Sequence, residues 1–283
     1  MAIAPASPTG SARPSAAGAA LLRWSVRALV AVTWLSAAAF GIYTIGFYGG
    51  AVPQGVLEQW NRTLPRLYEA HAPLATTGIG LHFLTGSLLL VLGPIQFVAA
   101  IRARAPAVHR WIGRVYVTAA LVTGIGGLAY IALKGTVGGG PMNLGFGLYG
   151  VLVVIAAAQA FRHARARRFE LHRAWAIRLF ALAVGSWLYR MDYGFWSLLT
   201  DNAGESDNYT GPFDVVMAFL FYLPNLAVAE LVIRGIGPGS SLAWRIGAAA
   251  GLTAATALIL LGTYYFSAYY WLPGLAMRFA ARG

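Results

Sequence analysis

The chain has 283 residues, 58% of them hydrophobic and 11% charged, with a formal net charge of +12 and no cysteine. Soluble domains carry roughly a quarter charged residues, so this chain lacks the polar groups to cover a water-facing surface and is not an ordinary soluble domain. The missing cysteine excludes disulfides, thiolate metal sites, iron–sulfur clusters and cysteine nucleophiles.

Residues 1–22 are rich in Ala, Pro, Ser and Gly and read as a disordered tail, ahead of a membrane domain over residues 23–283. Arg23 and Arg27 precede an apolar run to about Tyr48. Ala37-Ala38-Ala39 resembles a signal-peptide cleavage site, but the run continues through Phe40, Ile42, Tyr43, Ile45 and Phe47, which favours a first transmembrane helix. The loop from Gly49 to Ala75 can hold a short amphipathic helix around Gly55–Ala70. Apolar segments then recur at about Thr76–Ala100, Trp111–Leu133, Asn143–Phe161, Arg173–Leu199, Phe213–Ile233 and Leu242–Phe266. Each approaches or exceeds the ~20 residues that cross a hydrocarbon core. Gly138-Gly139-Gly140-Pro141, Gly211-Pro212 and Gly237-Pro238-Gly239 punctuate them. The pattern predicts an all-α polytopic transmembrane bundle of about seven helices.

Charge sets its orientation. Most of the 21 Lys and Arg fall in the N-terminal segment and in alternate loops: Arg102, Arg104 and Arg110; then Arg162, Arg165, Arg167, Arg168 and Arg173; then Arg234 and Arg245. By the positive-inside rule that side is cytoplasmic. The N-terminus is therefore inside, the C-terminus outside, and a bacterial inner membrane is the expected setting. The outer side carries Glu58, Glu69, Asp192, Asp201, Glu205, Asp207 and Asp214, with an aromatic belt that includes Tyr264, Tyr265, Tyr269, Tyr270 and Trp271.

Two basic loops match at an offset of 63 residues. Gln96, Arg102, Arg104 and His109-Arg110 align with Gln159, Arg165, Arg167 and His172-Arg173. The match is either a coincidence of two Arg-rich loops or a duplicated helix–loop–helix unit, with core repeats at about 76–133 and 143–199. Duplication would put His109 and His172 at one depth, and sites tend to form where such units meet.

Polar residues among the apolar runs mark the candidate site. His82, Gly86, Gly93 and Gln96 share one face of the second segment, and Pro94 is expected to kink it. His109, Gly113, Tyr116, Thr123 and Gly127 share a face of the third. Such faces pack on protein, or on a flat cofactor that glycines admit. His82 lies ~9 Å inside the outer end of its helix, where an imidazole serves as a ligand, a proton relay or a buried hydrogen-bonding group. Arg190 falls at about the same depth and should pair with Asp192, Asp214 or an anionic group unless it snorkels to the interface; Asp192 is rotated off its face, so a reach across helices is favoured. His109 and His172 either contact lipid head groups or ligate a metal or a quinone head group. Arg114 and Arg178 would suit haem propionates or another anion. His163 reads as a solvated loop residue, and His71 could reach His82 from the outer loop. Pro224-Asn225 marks a hinge or a polar contact, and Glu230–Arg234 forms an i,i+4 pair.

Leu81-His82, Gly93-Pro94-Ile95-Gln96-Phe97, His109-Arg110-Trp111-Ile112-Gly113-Arg114-Val115-Tyr116 and His172-Arg173-Ala174-Trp175-Ala176-Ile177-Arg178 carry a resemblance. The segment they define resembles a bacterial family of predicted multi-pass membrane proteins with no assigned function. More loosely, the chain is similar to di-haem membrane cytochromes b and ferric-reductase-like bundles, which place His pairs near both membrane faces. The outer level here has one intramembrane candidate, His82, so the similarity implies at most one haem b. The leading expectation is a membrane redox protein holding haem b or a quinone, with His82, His109 and His172 as metal ligands and Arg114, Arg178 and Arg190 beside the cofactor. A proton-coupled permease using His82, Arg190 and Asn225 is the first alternative, and a structural subunit of a larger membrane complex the second. Membrane lipids are the expected surroundings in every case.

Overall fold

The computed structural model describes residues 16–62, 67–235 and 240–280. Eleven α-helices account for most of these residues: α1 (Ala16–Phe47), α2 (Pro73–Ile95), α3 (Ala99–Arg104), α4 (Pro106–Lys134), α5 (Gly139–Arg165), α6 (Phe169–Ala183), α7 (Gly185–Thr200), α8 (Pro212–Leu220), α9 (Leu223–Gly235), α10 (Leu242–Phe266) and α11 (Leu272–Ala280). Six stretches are long and apolar enough to cross a membrane: α1, α2, α4, α5, α8 with α9, and α10 with its continuation. The broken pair α6–α7 makes the seventh crossing. Its two halves have 15 and 16 residues. It starts beside the end of α5, where His172 Nδ1 lies 2.9 Å from the Ala160 carbonyl. It ends beside the start of α8, where the Tyr193 hydroxyl donates to Asp214 at 2.7 Å.

Three expected boundaries move. α1 begins at Ala16, so the tail expected to reach residue 22 is helical from there; residues 1–15 lie outside the described residues, as do Gly237-Pro238-Gly239. Among the described residues the outer loop holds two short tight helices, Gly49–Ala51 and Leu57–Arg62; the expected amphipathic helix over 55–70 falls partly on residues 63–66, which lie outside the described residues. The second is pinned by Trp60, whose indole N–H donates to the Tyr48 carbonyl at 3.0 Å. The second segment stops at Ile95, because Pro94 supplies no amide hydrogen to continue the ladder, and the chain restarts as the short α3.

Two crossings are interrupted. α6 ends at Ala183 and α7 resumes at Gly185; the Tyr149 hydroxyl of α5 donates to the Leu182 carbonyl at 2.6 Å, which holds that carbonyl off the helix axis. α8 ends at Leu220 and α9 starts at Leu223, just ahead of Pro224. Asn225 Nδ2 donates to the Phe221 carbonyl at 3.0 Å, so of the two expectations for Pro224-Asn225 the polar contact is the one seen.

α2, α4, α5 and α6 form a ring in which each packs on the next and α6 closes on α2. α1 packs on α2 and α10, α8 on α5, and α9 on α6 and α10. This is the expected core of the second to fifth segments with the others around it. The main apolar core fills the ring with Leu89, Tyr116, Val153, Leu179, Leu182 and Phe221. Small residues set the spacing. A Cβ on Gly145 would lie 2.2 Å from the Ala218 carbonyl oxygen of α8, so only glycine permits that crossing.

Asp214 clasps the outer end. It is 1% exposed and accepts from Tyr193 at 2.7 Å, Gly211 N at 2.9 Å, Ser206 N at 3.0 Å and Ser206 Oγ at 3.1 Å. Neighbouring Glu205 has a buried Oε1 with no hydrogen-bond partner. Burial and the Asp214 charge together push its carboxyl above the ordinary range.

Two outcomes follow. Gly145→Ala should lower the melting temperature, with an overpacking cost of about 1–3 kcal/mol, while Gly147→Ala, where an added Cβ meets nothing within 4 Å, should leave it level or slightly raised. Glu205 is more easily ionised unfolded than folded, so its contribution to stability falls as pH rises from the ordinary Glu range to its raised value. Over that window the wild type should lose melting temperature relative to Glu205→Gln, and thermal melts of both across pH check it.

Candidate functional site

The basic loops converge on one cleft. A mostly apolar cavity of about 1690 Å³ lies between α1 and α10 on one side and α2, α4, α6, α7 and α9 on the other. Arg23, Arg27, Arg102, Arg110, Arg167 and Arg173, exposed residues from separate segments, line its mouth, with Glu170 the acidic residue among them. Three separate runs of positive charge at one opening agree with the cytoplasmic side assigned from the loops.

His109 and His172 both line this cleft. Each is the fourth residue of its helix, since α4 and α6 begin at positions 63 apart. Their backbones match as well: His109 N donates to the Ala105 carbonyl and His172 N to Arg168, again 63 apart. The two side chains are close enough for their charges to interact. With His172 Nδ1 engaged by the Ala160 carbonyl, Nε2 is the nitrogen left to face a ligand.

Three of the buried polar atoms without a hydrogen-bond partner lie on the same wall: Gln96 Nε2, His109 Nδ1 and the Tyr116 hydroxyl all belong to residues that line the cleft. Ser87, Gln159, His163, Trp187 and Glu205 carry the others, away from it. Gly93 lets α2 approach closely here: a Cβ would come within 2.8 Å of the Phe180 ring and 3.1 Å of Tyr116.

His82 is elsewhere. It does not line the cleft; it sits half-buried on α2 beside Phe83, near the Thr123 backbone, and near enough to Arg190 to feel its charge. The expectation that His82 and Arg190 share a depth is therefore met. His82 stands apart from His109 and His172, at the outer level expected of it from the sequence, and among the described residues no three His, Asp or Glu side chains could hold a metal ion together. The physical reason is that His82 lies near the outer end of its helix, while the other two begin helices at the cytoplasmic end.

The arginines sort differently from the expectation. Arg190 Nη1 donates to the Ser186 carbonyl at 2.7 Å, and the guanidinium lies 5.4 Å over the Phe40 ring of α1. It reaches across helices to an aromatic face, and no carboxylate among the described residues pairs with it. Arg178 is held by Glu230, with Nε to Oε1 at 2.7 Å, and lies 5.0 Å over Trp175. Glu230 also meets Arg234 at 3.5 Å, as the i,i+4 spacing predicts. Arg114 is exposed and lies 5.3 Å over Trp111. Neither Arg114 nor Arg178 lines the cleft; the arginines that do are those at its mouth.

The second-segment face is only partly a packing face: Gly93 is tightly packed, whereas a Cβ on Gly86 would meet nothing. On α4, Thr123 Oγ1 and Thr85 Oγ1 of α2 lie 2.7 Å apart, and Gly113 packs on the Gln96 side chain. His163 is buried in the last turn of α5 rather than solvated. His71 is 86% exposed, 3.7 Å from Glu69, and takes no part in a site with His82.

The fold and this site define a polytopic helical membrane protein with a basic-mouthed intramembrane cleft. Residues 79–233, α2 through most of α9 and more than half of the chain, match the family described as Predicted membrane protein (DUF2306), and the chain belongs to that family. No curated protein and no solved structure matches the chain.

Glu230→Gln should cost about 1–2 kcal/mol, between the surface and buried limits for ion pairs. It should also leave the cleft-lining residues in place, and a lower melting temperature with ligand binding unchanged is the expected pair of readings.

Proposed function

We propose that the protein is a membrane redox protein with a place for one haem b in the cytoplasmic-side cleft, where His109 and His172 are the residues that would hold it. The observation that carries this reading is that two histidines, set at equivalent positions of two helices, face one large apolar cavity. The donor chemistry fits. Ligating histidines commonly commit the other ring nitrogen to a backbone carbonyl, as His172 does with Ala160. Haem irons in electron-carrying proteins are held by such imidazoles. The walls offer Phe97, Phe180 and Tyr116 to a flat macrocycle, and the arginines of the mouth are suited to propionates.

When bound, haem b supplies reversible one-electron transfer. The chain's own residues bind it, orient it and keep water from its faces, while Gln96 and Tyr116 offer hydrogen bonds to whatever lies beside it. A quinone from the lipid phase is the redox partner in this reading, since Trp34 and Leu258 give the cleft an apolar flank that is also partly exposed. A bacterial inner (plasma) membrane supplies such a pool.

Detergent-purified protein from haem-replete cells should show a haem absorption band at about one haem per chain. His109→Ala and His172→Ala should each lose it, and His82→Ala should keep it. Colourless wild-type protein, or bands that survive both cleft substitutions, would overturn the proposal.

A further inference from the structure

Asp192 stands outside this chemistry. It sits in α7, in the outer half of the crossing, two residues after Arg190 and rotated off its face. Arg190 goes to Ser186 and Phe40, while among the described residues no hydrogen bond or ion pair holds the Asp192 carboxyl. It is half-buried. An intramembrane carboxyl with no counter-charge is costly and is a functional residue by default.

Its position is informative. A second, mostly apolar cavity, of about 580 Å³, lies between α7 and α8, with Ala203 and Gly204 of the outer loop and Phe213 at one end and the exposed Leu199, Val216 and Leu220 on its flank. Asp192, Phe195 and Pro224 line both this outer cavity and the cytoplasmic-side cleft. The two cavities therefore meet at Asp192, the acidic group common to both. Pro224 belongs to the α8–α9 break, so the junction falls where one crossing helix is interrupted. Broken helices of this kind occur where backbone lines a cavity.

We propose that Asp192 is a proton-exchange site joining the outer cavity to the cleft, so that protons pass between the outer aqueous side and the cleft by way of its carboxyl. Each transfer puts a proton on a carboxylate oxygen from one cavity and releases it to water or an acceptor in the other, with no bond made or broken besides O–H. The surrounding ionisable groups leave this role to Asp192. On its own helix, Arg190 faces α1, and Tyr189 and Tyr193 form a chain of hydroxyls ending on Asp214. On α8, Asp214 is consumed by its four hydrogen bonds. On α9, Glu230 is paired with Arg178 and Arg234. On α10, the ionisable residues are Arg245 near its start and Tyr264 and Tyr265 at its end. On α1, Arg23 and Arg27 lie at the cleft mouth, and Tyr43 near Arg190.

The test is proton uptake by liposomes holding the full-length protein, with a pH dye inside and a potassium diffusion potential, negative inside, as the drive. The wild type should acidify the lumen several-fold faster than protein-free liposomes. Asp192→Asn should fall to the protein-free rate, and Asp192→Glu should restore most of the flux. A membrane-soluble carbodiimide should block the wild type and mark Asp192 in peptide mass spectra, a reading that does not require the variant to fold. Wild-type flux equal to protein-free liposomes, or flux unaffected by both Asp192→Asn and carbodiimide, overturns the proposal. Neither readout depends on haem, so the outcome is separable from that of the cleft assignment.

Discussion

Hydrocarbon offers no water to hydrogen-bond with, so every polar group carried into the bundle must be answered by another polar group or by a ligand. Much of the structure follows from how that demand is met. Tyr149 answers Leu182, Asn225 answers Phe221, Thr85 answers Thr123, and Glu230 answers Arg178. Each of these contacts either fixes a helix break or ties two helices together. Where the demand is unmet, Gln96, His109 and Tyr116 lie along one wall of the cleft, while Ser87, Gln159, His163, Trp187 and Glu205 each leave a buried atom without a partner elsewhere. The three on the cleft wall are the ones that a ligand in that cavity could answer.

The breaks and the cavities belong together. Val184, between α6 and α7, and Phe221, Pro224 and Asn225, around the α8–α9 break, all line the cytoplasmic-side cleft. A continuous pair of helices would pack along its whole length and leave little room. Interrupting both crossings makes the space, and the tyrosine and asparagine bonds to freed carbonyls keep the interruptions from being costly.

Much of this was legible in the sequence. Length and apolarity of the runs gave the crossings, and loop arginines gave the side on which they gather, because both effects are set by local composition. The 63-residue spacing placed His109 and His172 at matching helix positions before any packing was known. What was not legible depended on which neighbours each residue meets. In the fifth run only the Gly185-Ser186 pair hints at a break at Val184, and the tyrosine hydroxyl of α5 that meets the break is not visible in the sequence. His163 lay in a string of arginines and read as solvated, yet the last turn of α5 buries it. Arg178 and Glu230 are 52 residues apart, and only the contact of α6 with α9 pairs them. Asp192 was visible as an intramembrane acid, but the two cavities that meet at it exist only in three dimensions.

Direct imaging of the cleft is the sharpest measurement. A cryo-EM map of the full-length protein, taken from haem-replete membranes into lipid nanodiscs, should show a flat, dense group between the imidazoles of His109 and His172, with its acidic edge toward the arginines at the mouth. A cleft filled only by acyl-chain density, with both imidazoles turned to solvent, would contradict it.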